Sequence, residues 1–308
     1  MSFDLCLWGK CNNRCRMCTN PPAPWPAWDG SFEYDYDSII ARLENKKEEI
    51  KKSDSIYITG GEPTIHPRFK DILKYLNTNF PKQTKRLLSN GRSFSYEKYA
   101  QEILALEPDL EIDMSLYGPN ALIHDAVTQA PGSFAQSCQG LKNLLINRSE
   151  NQVVGLRFVL TRESYKSISE FLELVTKEFR QIDRLIIIFP EYEAKAIDNK
   201  SDIMIKYFEL KPIVDNLFEN ILELSKLTEV RLYHFPLCAV DRKFWPLVWK
   251  TWPEHEVEFI EACQRCQMRK YCVGPHKGYL QNVGTDEFVP FSEHIEVEES
   301  GNVYRPVA

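Results

Sequence analysis

Three cysteines in CNNRCRMC, Cys11, Cys15 and Cys18, stand at x3 then x2 spacing directly after a short apolar run, Phe3 to Trp8. Thiolates hold iron–sulfur centres, and three of them can wrap three corners of a cubic 4Fe-4S cluster, leaving the fourth iron without a protein ligand. Zinc is the competing reading. It normally takes four protein ligands, or three plus water with His and carboxylate favoured, and no fourth ligand stands nearby. A second group follows far downstream: Cys238 in FPLC, then Cys263, Cys266 and Cys272 in CQRCQMRKYC. Four thiolates with one x2 pair suit zinc as well as iron–sulfur. Beside a first cluster, an auxiliary 4Fe-4S cluster has a use in electron transfer, whereas a zinc knot would be structural only.

The elements that must position these groups alternate along the chain. Apolar, β-rich runs occur at Phe3 to Leu7, Ser55 to Thr59, Arg86 to Ser89, Leu110 to Leu116, Val153 to Thr161 and Arg184 to Phe189. Between them Tyr36, Ile39, Ile40 and Leu43 recur at helical spacing. Phe69, Ile72, Leu73 and Leu76 do the same, as do Phe134, Cys138, Leu141 and Leu145, then Ile168, Phe171, Leu172 and Val175. Strict strand–helix alternation implies an α/β fold of parallel strands with right-handed crossovers, here a partial (β/α)6 TIM-like barrel. Chemistry in such barrels sits at the C-terminal strand ends. The cysteine loop follows the first strand, GGEPT (Gly60 to Thr64) the second and SNGR (Ser89 to Arg92) the third, and Ser115 closes the fourth. A glycine pair admits a ligand close to the backbone, and a carboxylate beside it can hold an ammonium. The plainer reading of GGEP is a turn before a helix, with Glu62 at the helix N-terminus.

Past residue 190 the alternation ends. An acidic connector leads to a long helical stretch around Leu210 to Leu227 and a short strand, Val230 to His234. The expected domains are thus 1–190, the barrel; 191–235, a connector with a helix–strand extension; and 236–308, the auxiliary-cluster domain and tail. Trp245, Trp249 and Trp252 recur at helical spacing and are expected to pack over the auxiliary cluster. PPAPWPAW, after the cysteine loop, carries four prolines and reads as a stiff loop; the tail from Ser292 reads as a poorly packed terminus.

Composition narrows the class. At 308 residues, with 43% hydrophobic and 27% charged, the chain can bury a sizeable core. A net charge of -6 argues against a general nucleic-acid or membrane-surface binder. With no signal-like start and no run of about 18 apolar residues, the expectation is a cytoplasmic protein. In that reducing setting nine cysteines read as metal ligands and core residues rather than disulfides.

In order, CNNRCRMC, GGEPT, LLSNGR and SLYG, with IHD and PGSF downstream, resemble the radical SAM superfamily over about residues 3 to 190. The resemblance implies a 4Fe-4S cluster on Cys11, Cys15 and Cys18, with the amino and carboxylate groups of S-adenosylmethionine on the fourth iron. It implies that Glu62 and the Gly60–Gly61 backbone of the Gly60–Pro63 turn hold the methionine amino group. Met17 would lie near the adenine, and Ser89, Asn90 and Ser115 near the ribose or carboxylate. Met17 stands where the family usually has an aromatic residue, and Thr128 near where peptide-modifying relatives often carry an arginine for the carboxylate. Alternation along VVGLRFVLT puts Gly155, Arg157 and Val159 on one face, so Arg157 is a candidate for that charge; a structural salt bridge is its other reading.

The C-terminal Cys-x2-Cys-x5-Cys triplet is similar to the auxiliary domains of peptide-modifying radical SAM enzymes, whose usual next cysteine falls at His276. His276 is a ligand candidate only if Cys238 is not. The whole ensemble, with LYHFPLC, resembles the His-Xaa-Ser-system maturases of ribosomally synthesised peptides, although Cys272-Val273-Gly274 replaces an expected Cys-Gly-Gly. These resemblances imply an oxidoreductase that forms a 5'-deoxyadenosyl radical and takes a hydrogen atom from a peptide, giving oxidation or a cross-link. An external one-electron reductant of flavodoxin or ferredoxin type would serve it. A peptide epimerase, a small-molecule or cofactor-biosynthetic dehydrogenase and a non-catalytic precursor-binding partner stay open. Cys6 and Cys138 read as packing residues, but an epimerase would need a hydrogen donor, and these are the candidates.

Overall fold

Parallel strands with crossovers at every step build the molecule, whose computed structural model describes residues 2–20 and 34–295. Among them, eight strands form one sheet in chain order. They are β1 (Ser2–Cys6), β2 (Ser55–Thr59), β3 (Thr84–Ser89), β4 (Glu111–Ser115), β5 (Val153–Val159), β6 (Arg184–Ile188), β7 (Glu229–Tyr233) and β8 (Val248–Trp249). Every neighbouring pair is parallel, and β1 and β8 are the two ends of the series, so the sheet is a partial barrel. The six expected barrel strands appear, the strand expected at Val230 to His234 joins the same sheet as β7, and β8 is one more. The proline-rich loop after the cysteines lies outside the described residues, as does the tail beyond 295.

The crossover helices that matter for the site are α1 (Tyr36–Asn45), α2 (Phe69–Asn79), α3 (Glu97–Leu106), α4 (Ala121–Thr128), α5 (Ser133–Asn147) and α6 (Ile168–Glu178). Of these, α2 and α6 bury the whole apolar stripe their periodicity announces, Phe69, Ile72, Leu73 and Leu76 in the one and Ile168, Phe171, Leu172 and Val175 in the other. They cover the outer face of the sheet, where Ile56, Ile58, Leu87, Ile112, Leu156, Leu185 and Ile187 belong to one core. The stretch expected as one helix from Leu210 divides into α7 (Tyr207–Asn216) and α8 (Phe218–Ser225). The tryptophan segment is not one α-helix: Arg242–Leu247 is a 3-10 helix, followed by β8. Pro246 and Pro253 lack the N–H that a continuous helix would need there.

Alternation puts a different chemistry on the inner face. At its base Arg184 bonds both carboxylate oxygens of Asp113 (2.7 and 3.1 Å) and reaches Glu111 at 2.9 Å. Gly155 makes room for this pair, since a Cβ there would lie 2.3 Å from Asp113 Oδ1 and 2.6 Å from Arg184 Cγ. Above it Ile186, Ile188, Tyr233 and Trp249 form a small separate apolar cluster. The polar strand ends lie above that layer, at the mouth.

Candidate active site

The cysteine loop leaves β1 and is pinned from two sides. Arg14 N–H and Arg16 N–H donate to the carbonyls of Thr128 (2.8 Å) and Val127 (3.1 Å) at the end of α4. Arg92 donates Nη1 to Asn13 Oδ1 at 2.8 Å and to the Asn12 carbonyl, while its Nε holds Gln136 of α5 at 2.7 Å. Burial first, then the nearness of the other two sulfurs, raises the Cys15 thiol; burial also leads in raising Cys11. Coordination to a metal centre reverses that penalty. The Asn13 N–H already points at Cys11 Sγ, 3.3 Å away, and such bonds to sulfur are among the features that tune iron–sulfur centres.

The Gly60–Glu62 turn forms the next wall. Gly60 holds a φ of 129°, and a Cβ on Gly61 would lie 2.2 Å from the Lys10 carbonyl oxygen, so glycine is needed for this close approach. The N–H groups of Gly61 and Glu62 donate to the carbonyls of Trp8 (2.7 Å) and Lys10 (2.8 Å). With its amide engaged, what Gly61 offers a ligand is carbonyl oxygen, which suits a cationic donor, as does the Gly60 carbonyl, whose second lone pair remains beside the Asn20 bond. The Glu62 carboxylate is buried and accepts from Thr64 Oγ1 (2.6 Å), Ser89 Oγ (2.8 Å) and Asn90 N–H (2.7 Å). Burial outweighs those bonds and leaves its acidity below that of an ordinary glutamate. Pro63 starts the 3-10 turn Pro63–Ile65 behind the wall and does not line the cavity.

Between these walls lies a cavity of about 250 Å³. Cys11, Cys15, Met17, Cys18, Gly60, Gly61, Glu62, Ser89, Asn90, Ser115 and Arg157 all line it, so the expected group from the first five strands converges. The Arg157 side chain has no hydrogen-bond or ion-pair partner among the described residues, and the salt bridge that was its other reading is not found there. Cys6 and Cys138 are not part of this lining. Cys6 lies near Arg42 of α1, its thiol pushed up to about 11 by burial; Cys138 lies near Lys142 and Glu178, pushed up to about 12.

The second cysteine group also converges. Cys238, Cys263, Cys266 and Cys272 line one space, walled by Leu237, Phe259, Met268, Phe288 and Phe291. Backbone N–H groups of Leu237 and Gly274 point at Cys272 Sγ (3.3 and 3.4 Å), and that of Phe291 at Cys266 Sγ (3.4 Å). His276 is not in the lining: its Nδ1 accepts the Gly278 N–H at 3.1 Å and its Nε2 lies 3.0 Å from Glu193. Among the described residues no three Cys, His, Asp or Glu side chains gather tightly enough to hold one metal ion. Trp245 donates to the Leu237 carbonyl at 3.1 Å and packs on Phe291, so it does cover this space. Residues 292–295 also turn back onto it, with the Ile295 N–H 3.3 Å from Met268 Sδ.

Sequence reasoning assigned no role to several residues of this region. Arg92 lies inside a recognised motif, yet its reach across 79 positions to Asn13 leaves no local pattern. Trp8 donates its indole N–H to the Glu62 carbonyl at 2.9 Å, and Asn20 donates to the Gly60 carbonyl at 2.6 Å. Glu191 and His234, after β6 and β7, line the far side of the cavity.

A family model described as Radical SAM superfamily matches residues 5–175, more than half the chain. The chain is similar to a tungsten-containing aldehyde ferredoxin oxidoreductase cofactor-modifying protein of Pyrococcus furiosus, 24% identical over 68% of this chain and 57% of the relative. It is also similar to the antilisterial bacteriocin subtilosin biosynthesis protein AlbA of Bacillus subtilis, 24% identical over 91% of this chain and 67% of the relative. Among solved structures, Streptococcus suis SuiB bound to precursor peptide SuiA superposes with a TM-score of 0.58 at 14% identity, covering 79% of this chain and 50% of that one. The chain thus spans only about half to two thirds of the length of these relatives.

Proposed function

The chain belongs to the radical SAM superfamily, and we propose that it is a maturase that oxidises or cross-links a ribosomally made peptide. The cofactors of that family are a 4Fe-4S cluster and S-adenosylmethionine, and the mouth of the barrel has the donors to receive both. Bound there, they supply a 5'-deoxyadenosyl radical that takes a hydrogen atom from substrate, the cofactor carrying the chemistry and the protein the positioning. Cys11, Cys15 and Cys18 hold the cluster, and the carbonyls of Gly60 and Gly61, with Glu62, hold the methionine ammonium. Arg157 faces the carboxylate, Ser89, Asn90 and Ser115 the ribose or carboxylate, and Met17 the adenine. Cys238, Cys263, Cys266 and Cys272 would hold an auxiliary 4Fe-4S cluster, which would supply a one-electron acceptor.

The observation that carries this reading is that Cys11, Cys15 and Cys18 line the barrel-mouth cavity together with the Gly60–Glu62 turn, while Cys238, Cys263, Cys266 and Cys272 converge on a second space of their own. A peptide substrate is supported by the bacteriocin-biosynthesis relative and by the fold shared with a precursor-bound enzyme. A small-molecule or cofactor substrate is the second reading, favoured by the cofactor-modifying relative. Position outside the cavity speaks against Cys6 and Cys138 as hydrogen donors, and so against epimerisation. Among the described residues no helix is long and apolar enough to cross a membrane. The test is mass spectrometry of the peptide encoded beside the gene, co-expressed in heavy water with the wild type and with the Cys11→Ala, Cys15→Ala, Cys18→Ala variant. Loss of two hydrogens with the wild type alone supports an oxidative maturase. Uptake of one deuterium indicates epimerisation, and an unchanged peptide moves the assignment to a small molecule.

A further inference from the structure

After β6 and β7 the cavity wall carries a titratable pair to which the reading above gives no role. Glu191 and His234 both line the cavity. His234 Nδ1 lies 2.9 Å from the carbonyl of Phe189, which can only accept, so Nδ1 carries a proton, and in the neutral ring the lone pair is at Nε2. That nitrogen faces Glu191 Oε1 at 3.4 Å, and the same oxygen accepts the Trp252 indole N–H at 3.0 Å. Trp252 lies flat against the imidazole, 4.4 Å between ring centres, and touches His276 on its other side at 4.9 Å. The backbone of residue 234 is held at φ 71°, in the left-handed region that a β-carbon disfavours. A strained, buried ring aimed by a carbonyl, a carboxylate and an indole is built for a defined orientation.

We infer that His234 is the proton acceptor when the substrate radical is oxidised, and that Glu191 and Trp252 position it. The inference rests on the oxidative reading above. Removal of a hydrogen atom leaves a substrate radical, and a closed-shell product two hydrogens lighter requires loss of one further electron and one proton. The one-electron acceptor would be the auxiliary 4Fe-4S centre that Cys238, Cys263, Cys266 and Cys272 would hold. The proton passes to His234 Nε2, a new N–H bond forming as the substrate's N–H, O–H or C–H bond breaks. One hydrogen atom, one electron and one proton then account for the two hydrogens lost.

Glu191 gives the incoming proton an ion-pair partner. Burial is the largest influence on the ring and favours its neutral form. Glu191 and the Phe189 carbonyl oppose it, while Arg157 and His276 add to it, and the balance lies below the ordinary histidine value. The ring is therefore neutral and able to accept near neutral pH. His276 does not line the cavity, and Glu191 already accepts from Trp252, so His234 is the base best placed for substrate.

His234→Asn is the informative variant, because asparagine tolerates a left-handed backbone and removes the Nε2 base. General-base catalysis is worth roughly 100-fold or more, so product peptide per 5'-deoxyadenosine should fall at least ~10-fold. The rise of the product-forming rate with pH through the histidine range should disappear with it. Nitrogen NMR of the full chain with ring-labelled histidine supplies a readout independent of turnover: His234 should be the Nδ1–H tautomer, and Glu191→Gln should lower its titration midpoint. A wild-type ratio and pH limb in His234→Asn, or an Nε2–H tautomer, overturns the inference alone. Failure of the wild type to release oxidised peptide overturns the oxidative reading and this inference with it.

Discussion

The carboxylate of Glu62 accepts the backbone N–H of Asn90 at 2.7 Å, which ties the end of β2 to the end of β3 at the cavity wall. Its other oxygen faces the Thr64 N–H at 3.2 Å as well as two hydroxyls. Hydroxyls can turn to accept, but neither backbone N–H can. Glu62→Gln therefore sets its NH2 against a fixed donor in either amide orientation. A buried mismatch of this kind costs about 1–3 kcal/mol. Thermal melts with and without S-adenosylmethionine should show a lower midpoint, and calorimetry an affinity at least ~10-fold weaker, as about 1.4 kcal/mol implies.

Gly61→Ala attacks the same wall from the backbone. Its Cβ would meet the Lys10 carbonyl oxygen at 2.2 Å and carbon at 2.5 Å, and no flexible side chain is available to yield. The cysteine loop begins at the next residue, so the displacement reaches the cluster ligands. After iron–sulfur reconstitution, iron per chain should fall to about half, the auxiliary site keeping its share. Gly132→Ala is the control. Its φ of 83° costs strain, but nothing lies within 4 Å of the added Cβ, so a loss of about 1 kcal/mol with normal iron is expected.

The Asp113–Arg184 pair gives a pH-dependent stability. Burial alone would raise the Asp113 carboxyl, but the charge and hydrogen bonds of Arg184 outweigh it and hold the group below the usual aspartate value. A depressed folded-state value means the stability is present above the unfolded value, near 4, and is lost as pH falls through the lower folded value. Urea midpoints should thus be level from pH 7 to 5 in this respect and drop below about pH 4. Arg184→Met strands the carboxylate and should cost about 3–5 kcal/mol. Adding Asp113→Leu should recover much of that loss, which urea titration of both variants would measure.

The barrel and the cavity wall were legible in the chain because both are written in local patterns. Period-two and period-3.6 stripes such as those of β2 and α2 depend only on neighbours in sequence, and Cys11 to Cys18 and Gly60 to Glu62 are short runs at strand ends. What escaped depends on contacts between distant residues or on backbone constraint. Arg92 reaches Asn13, and His234 reaches Glu191, only once the sheet is assembled. The spacing of Trp245, Trp249 and Trp252 fits a helix, yet Pro246 forbids one and β8 pairs with β7 instead. Gly155 reads as a weak spot in a strand, whereas its missing side chain is what lets Asp113 and Arg184 meet.

The fourth auxiliary ligand can be separated from its rival by iron content. Spacing alone leaves Cys238 and His276 in competition. The structure places Cys238 with Cys263, Cys266 and Cys272, and occupies both nitrogens of His276 elsewhere, with the Gly278 N–H on one and Glu193 facing the other. His276→Ala should leave auxiliary iron unchanged, although removing a buried ring that touches Trp252 lowers the melting midpoint. Cys238→Ala removes one corner ligand from a buried site, so the auxiliary cluster should lose iron or revert to a three-iron form. Mössbauer spectra of both variants on a background lacking Cys11, Cys15 and Cys18 isolate this site. Retained four-iron signal in Cys238→Ala together with loss in His276→Ala would reverse the assignment, because only a ligand, and not a neighbour that packs, changes the iron count when it is removed.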